Sequence, residues 1–139
     1  MKQLFHGTNT ASANRMFGPP TDVDVSLGRG ELGRGFYMGE EPCLAAAWAR
    51  SRHGKNPSVL EFTFDNAELV KLKTEVLGRR KLVLQKWRQM LDARQTTTFL
   101  FNTDLIMAPF ALLDLSHQYK FESLKAQSVV NAAIVRKIL

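Results

Sequence analysis

The stretch Phe36-Tyr37-Met38-Gly39-Glu40-Glu41-Pro42-Cys43-Leu44-Ala45-Ala46-Ala47-Trp48-Ala49-Arg50 changes character in its middle. Its first three residues read as a short strand. Acidic residues and a proline then precede an alanine-rich run that ends in Arg50 and Arg52, so both ends of a helix have their dipole complemented. Residues Gly54 to Pro57 stop that helix. Ser58-Val59-Leu60-Glu61-Phe62-Thr63-Phe64 follows with period two, a strand with Leu60, Phe62 and Phe64 on its buried face. A change from helical to strand period within thirty residues predicts a mixed α+β chain.

Working outward, Lys2 to His6 reads as a strand that ends at Gly7-Thr8-Asn9, and residues 10–35 read as a long glycine-rich loop with Gly28, Gly30, Gly33 and Gly35. Such a loop is long for an ordinary connection, which points to function. A short strand is expected over Leu69 to Leu72. A basic amphipathic helix is expected over Val76 to Ala93, with Leu82, Val83, Trp87, Met90 and Leu91 at helical spacing. Thr103 to Phe110 reads as a buried strand closed by Pro109, Gln118 to Glu122 as an alternating strand, and Leu124 to Leu139 as a closing helix with Ala126, Val130, Ala133, Ile134 and Ile138 inward.

The 139 residues suit one compact domain spanning 1–139, and no apolar run approaches the roughly 20 residues needed to cross a bilayer. The polar start Met1-Lys2-Gln3 lacks an apolar leader core, so a soluble cytoplasmic protein without a membrane partner is expected. A single cysteine, Cys43, excludes an internal disulfide, and it reads as a packed helix residue. His6, His53 and His117 have no metal-ligand spacing, so no metal is expected. Between Arg50 and Arg94 stand 11 basic residues against five acidic ones, which accounts for the whole net charge of +6. Concentrated positive charge suits a polyanion, nucleic acid before membrane, although a solvated helix face has the same composition.

Phosphate-loop, nucleophile-elbow and zinc-protease signatures are absent from the sequence. Gly28-Arg29-Gly30 lacks the third glycine and the strand-to-helix context of a dinucleotide fingerprint. What remains is scattered: His6 at the first strand's end, Tyr37 in a glycine-framed strand and Gln118 at the start of a late strand. On chemistry and spacing alone each also has a plain reading: a hydrogen-bonded strand end, a core aromatic with a wet hydroxyl, and a surface amide.

Six blocks in order resemble the small bacterial mono-ADP-ribosyltransferase-like family with a His-Tyr-Gln/Glu triad, a branch of the diphtheria-toxin-like ADP-ribosyltransferases. They are Leu4-Phe5-His6-Gly7-Thr8, Leu32 to Glu40, Ala45-Ala46-Ala47-Trp48-Ala49, Val59 to Asp65, Asp104 to Ala111 and His117-Gln118-Tyr119-Lys120-Phe121. The resemblance implies a single α+β domain with central split mixed and antiparallel sheets flanked by helices. It also implies NAD+ as a substrate, loss of nicotinamide through an oxocarbenium-like sugar, and attack by an acceptor nucleophile. His6, Tyr37 and Gln118 would be the catalytic set: His6 on a ribose hydroxyl, Tyr37 on the nicotinamide ring, and Gln118 orienting the reacting ribose. Gly7 and Thr8 would hold the nicotinamide end, Arg29 and Arg34 the pyrophosphate, with Gly35 and Phe36 completing the coenzyme contacts.

Ser116 stands where related arginine-modifying enzymes carry Glu or Gln, which disfavours an arginine acceptor. Only Leu112 to His117 joins the last two strands, shorter than the family's usual insertion. Arg79, Arg80 and Lys81 are the expected acceptor contacts, with single-stranded RNA or DNA slightly ahead of protein as acceptor. The implied role is a toxin in a toxin–antitoxin, phage-defence or effector setting, with a neutralising antitoxin protein as a further partner. The alternatives are a protein-directed effector of the same chemistry, a non-catalytic NAD or nucleic-acid-binding module, and a basic nucleic-acid-binding domain unrelated to NAD.

Overall fold

A computed structural model of the chain describes residues 1–28, 30, 32–78, 80, 81, 101–110 and 116–139. Among these, seven strands and four helices form a mixed α+β structure. The chain makes two compact units: Met1–Val23, Met38–Lys71 and Ser128–Leu139 in the first, Asp24–Tyr37 and Leu72–Gln127 in the second.

In the first unit, β1 (Lys2–Asn9) runs antiparallel to β3 (Pro57–Phe64) along its whole length, from Lys2 opposite Phe64 to Asn9 opposite Pro57. Phe5 lies opposite Gly39 of β2 (Phe36–Gly39), and β7 (Ile134–Lys137) adds antiparallel to the other side of β3. Helix α2 (Pro42–His53) packs Ala45, Ala46 and Ala49 onto Phe5 and Val59. These small side chains let the helix come so close that a Cβ on Gly7 would collide with the carbonyl oxygen of Ala45. Strand β3 is therefore buried on both faces, Val59 and Glu61 as well as Leu60, Phe62 and Phe64, where the alternation predicts one.

Three elements differ from the sequence expectation. Thr10–Phe17, expected in a loop, is helix α1: the Asn9 side chain accepts from the Ser12 N–H at 2.7 Å and supplies the N-cap, while Ala13 and Met16 give a buried face only two residues wide. The closing helix stops early. It covers Leu124–Ala132 as α4, and the β-branched Ile134-Val135 then serves the open edge of β3 as β7, leaving Ile134 66% exposed rather than inward, and Ile138 exposed as well. Around the expected strand Leu69 to Leu72, residues Asn66–Leu69 form the short helix α3, capped by Asp65, and the strand comes later as β4 (Thr74–Val76). Val76 closes β4, so the amphipathic helix expected from that residue does not begin there, and its apolar face, Leu82 to Leu91, lies outside the described residues.

In the second unit, β4 pairs parallel with β5 (Leu105–Pro109), and β5 pairs antiparallel with β6 (His117–Phe121), with Ala108 opposite Gln118. Leu32, Leu77, Ile106 and Ala108 form its core, against which Tyr37 and Phe101 pack. Asp104 ties the corner together: its carboxylate accepts from the Lys73 N–H at 2.8 Å and the Ser123 hydroxyl at 2.6 Å, and Ser123 Oγ in turn accepts from the Ala126 N–H at the start of α4.

Candidate functional site

In the first unit, His6 is half-buried and lies inside β1, since the strand continues for three residues beyond the end that the sequence suggests. Gly7 and Thr8 are ladder residues opposite Val59 and Ser58. Phe5 and Gly7 face α2, so strand alternation turns His6 to the other face, beside Leu60. The glycine at position 7 has a packing cause, the approach of Ala45. Cys43, expected to be packed, is exposed in the first turn of α2.

In the second unit, the glycine-rich segment is wound around the phenol of Tyr37. Its hydroxyl donates to the Gly33 carbonyl at 2.5 Å and accepts from the Leu32 N–H at 2.9 Å. Gly33, with φ of +89°, and Gly30 close a turn between them, and Gly35 donates to the Gly28 carbonyl at 3.2 Å. Gly30 rests on the ring itself, where a Cβ would lie 2.6 Å from the ring carbon that bears the hydroxyl. The loop thus covers part of Tyr37 and engages its polar end.

Arg34 reaches back to the Ser26 carbonyl at 3.3 Å, and its buried Nε has no hydrogen-bond partner among the described residues. Gly35 and Phe36 are buried behind it. Arg29 lies outside the described residues.

Strand β6 carries the least expected feature of the unit. Gln118 and Lys120 share one face of β6 and Glu122 follows just past its end, the pattern of a solvated edge, yet they are 3%, 0% and 4% exposed. The surface reading of Gln118 is therefore corrected: its amide donates to the Pro109 carbonyl at 3.3 Å across the β5–β6 pair. The Lys120 ammonium is paired with Glu122 and stands 5.2 Å from the centre of the Phe101 ring. The other oxygen of Glu122 accepts from the Phe101 N–H at 3.0 Å. Burial pushes the Lys120 ammonium below the usual lysine range, and the hydrogen bond and charge of Glu122 offset this in part. The stem of Lys120 lies along Gly35, where a Cβ would come within 2.6 Å of Cε.

The second unit therefore brings together Arg34 and Gly35 of the glycine loop and Tyr37 of β2, with Gly35 packed on the strand that bears Gln118. His6, Gly7 and Thr8 belong to the first unit. Ser116 is buried, and its hydroxyl has no partner among the described residues. Arg80 and Lys81 are exposed, and Arg79 lies outside the described residues. Sequence reasoning passed over Lys120, Glu122 and Phe101. Opposite charges two apart on an alternating strand were the available signal, and that signal is the same for a wet face and a buried pair.

The chemistry open to this arrangement is limited by its acids and bases. Gln118 is neutral and can orient a hydroxyl but cannot take up a proton. Glu122, the carboxylate just past the end of β6, is held by Lys120 and the Phe101 N–H. The Arg34 Nε is a buried donor without a partner among the described residues. Among the described residues no group of three or more metal-ligating side chains occurs, and no helix is long and apolar enough to cross a membrane. In comparison with known proteins, no family model and no curated protein matches this chain.

Proposed function

We propose that the protein is an NAD+-consuming mono-ADP-ribosyltransferase that modifies a macromolecular acceptor, single-stranded RNA or DNA ahead of protein, and works as a cytoplasmic toxin countered by an antitoxin protein. The observation that carries this reading is Arg34: a half-buried guanidinium on a glycine-rich loop, with its Nε unpaired among the described residues. Guanidinium forks suit phosphate oxygens, and glycines let backbone come close to a dinucleotide. The ordered six-block resemblance supports the choice of NAD+ over other phosphate compounds.

In the reaction, the bond between the ribose anomeric carbon and the nicotinamide nitrogen breaks, and its electron pair leaves with nicotinamide. The acceptor nucleophile then bonds to that carbon and loses a proton. Arg34 would hold the pyrophosphate, with Arg29 beside it in sequence. His6 would bind a ribose hydroxyl, Gly7 and Thr8 the nicotinamide amide, and Tyr37 the ring, with the part that Gly30 leaves uncovered. Gln118 would orient the reacting ribose through its amide. A neutral amide stabilises a sugar cation less than a carboxylate does, so rate would rest on positioning, and the acceptor must be nucleophilic without a strong base. A base ring nitrogen with an in-plane lone pair meets that requirement, and the exposed Arg80 and Lys81 suit a phosphate backbone.

The test is incubation with NAD+ labelled in its adenylate part, with and without lysate, reading free nicotinamide and label in separated nucleic acid and protein. The expected result is nicotinamide release, label in nucleic acid with steep salt dependence, and loss of both in Gln118→Ala. Label confined to protein selects the protein-directed effector. NAD+ uptake by calorimetry without nicotinamide release selects a non-catalytic module, a reading favoured by the engagement of Glu122 with Lys120. Absence of both uptake and release overturns the proposal.

A further inference from the structure

Lys120 is fully buried, is charged on one end and has no part in the chemistry proposed above, so its retention in the second unit calls for a different role. Three contacts define it. The stem occupies the space that a side chain at residue 35 would need, the ammonium is paired with Glu122, and Glu122 in turn accepts the Phe101 N–H, with the Phe101 ring beside the cation. One strand side chain therefore touches the end of the glycine loop and, through its partner, the backbone of the turn that enters β5. Tyr37, two residues after Gly35, is fastened to the same loop by both hydrogen bonds of its hydroxyl. Gln118, two residues before Lys120, lies on the same strand face.

We propose that the Lys120–Glu122 pair is a positioning strut that sets the glycine loop, and with it Arg34 and Tyr37, against the strand carrying Gln118. The part of this inference that concerns coenzyme binding rests on the function proposed above. The strut itself does not.

Two apolar residues of similar volume pack in place of a buried ion pair at little cost to the fold, whereas removal of one partner leaves a buried charge alone. The informative variant is therefore Lys120→Met with Glu122→Met, which keeps two unbranched stems and deletes both charges. Gly35→Ala attacks the same contact from the loop side, by pressing a methyl group on the Lys120 stem.

The probe for the loop is limited digestion with trypsin, reading cleavage after Arg34 by mass spectrometry. Cleavage after Arg15 and Arg50, both in helices of the first unit, is the internal control. A strut predicts about tenfold faster cleavage after Arg34 in both variants, with the controls unchanged, because only local opening has become easier. A merely structural pair predicts parallel changes at all three sites. With NAD+, the strut predicts for the double variant a raised KM at nearly unchanged kcat for nicotinamide release, since the reacting groups remain and only their pre-arrangement is lost. If the double variant does not fold, Gly35→Ala decides through the cleavage pattern.

Unchanged cleavage after Arg34 in a folded variant overturns the strut whatever the coenzyme data show. Faster cleavage after Arg34 in variants of a protein that neither takes up NAD+ nor releases nicotinamide upholds the strut and removes the proposed function. A parent that turns over NAD+, with variants unaltered in both KM and cleavage, does the reverse.

Discussion

At the residue scale, Tyr37 has two separable roles. Its hydroxyl satisfies the Leu32 N–H and the Gly33 carbonyl within the glycine loop, while its ring belongs to the second unit's core. Tyr37→Phe separates them, because it keeps the ring and deletes the bonds. Two loop groups lose their partner, at about 1–2 kcal/mol of stability by chemical denaturation. If the ring is what meets the nicotinamide, kcat stays within a few-fold of the parent. That the phenol would be bonded was legible only as a general habit of tyrosine. Which backbone groups it takes depends on how residues 28–35 turn, and the spacing of four glycines does not specify that. Lys120 and Glu122 mark the same boundary from the other side: their alternation with Tyr119 and Phe121 identifies the strand, but whether their face is wet depends on Gly35 and Phe101, remote in sequence.

At the scale of elements, β3 and α2 were legible because period and end signals agree: alternation in one, a proline start and basic finish in the other. Helix α1 was not. Its stripe is narrow, and the cue that identifies it is a single cap, so Asn9→Ala is expected to cost about 1 kcal/mol and to show as earlier loss of protection at the Ser12 amide in hydrogen exchange. Strand β7 was missed for a different reason. Leu124 to Leu139 keeps a helical pattern of small and apolar residues, but the β-branched pair at 134 and 135 meets an open strand edge, and long-range pairing overrides the local period. The basic helix differs from expectation in its start: at Val76 a parallel partner in β5 takes the backbone, whereas Arg80 and Lys81 are helical.

For the molecule as a whole, the acid limb of stability has an identifiable contributor. Burial pulls the Asp104 carboxyl upward, but the hydrogen bonds from Ser123 and the Lys73 backbone and the charges of Lys125 and Lys73 together bring it below the usual aspartate range. A carboxyl with a lower value in the folded than in the unfolded chain stabilises the fold above the unfolded value, and loses that contribution as pH falls through the folded one. Asp104→Asn is therefore expected to lie below the parent in thermal midpoint near neutral pH, with the gap closing as the solution is acidified beneath the carboxylate range.

The outer flank of the first unit follows from the same long-range pairing that makes β7. Its far edge has no strand partner among the described residues, and it bears Arg136 and Lys137, with Arg136 joined to Glu61 of β3 at 3.1 Å. A second copy approaching edge to edge would bring like cations together, so the strand that completes this sheet also discourages the sheet from growing between molecules.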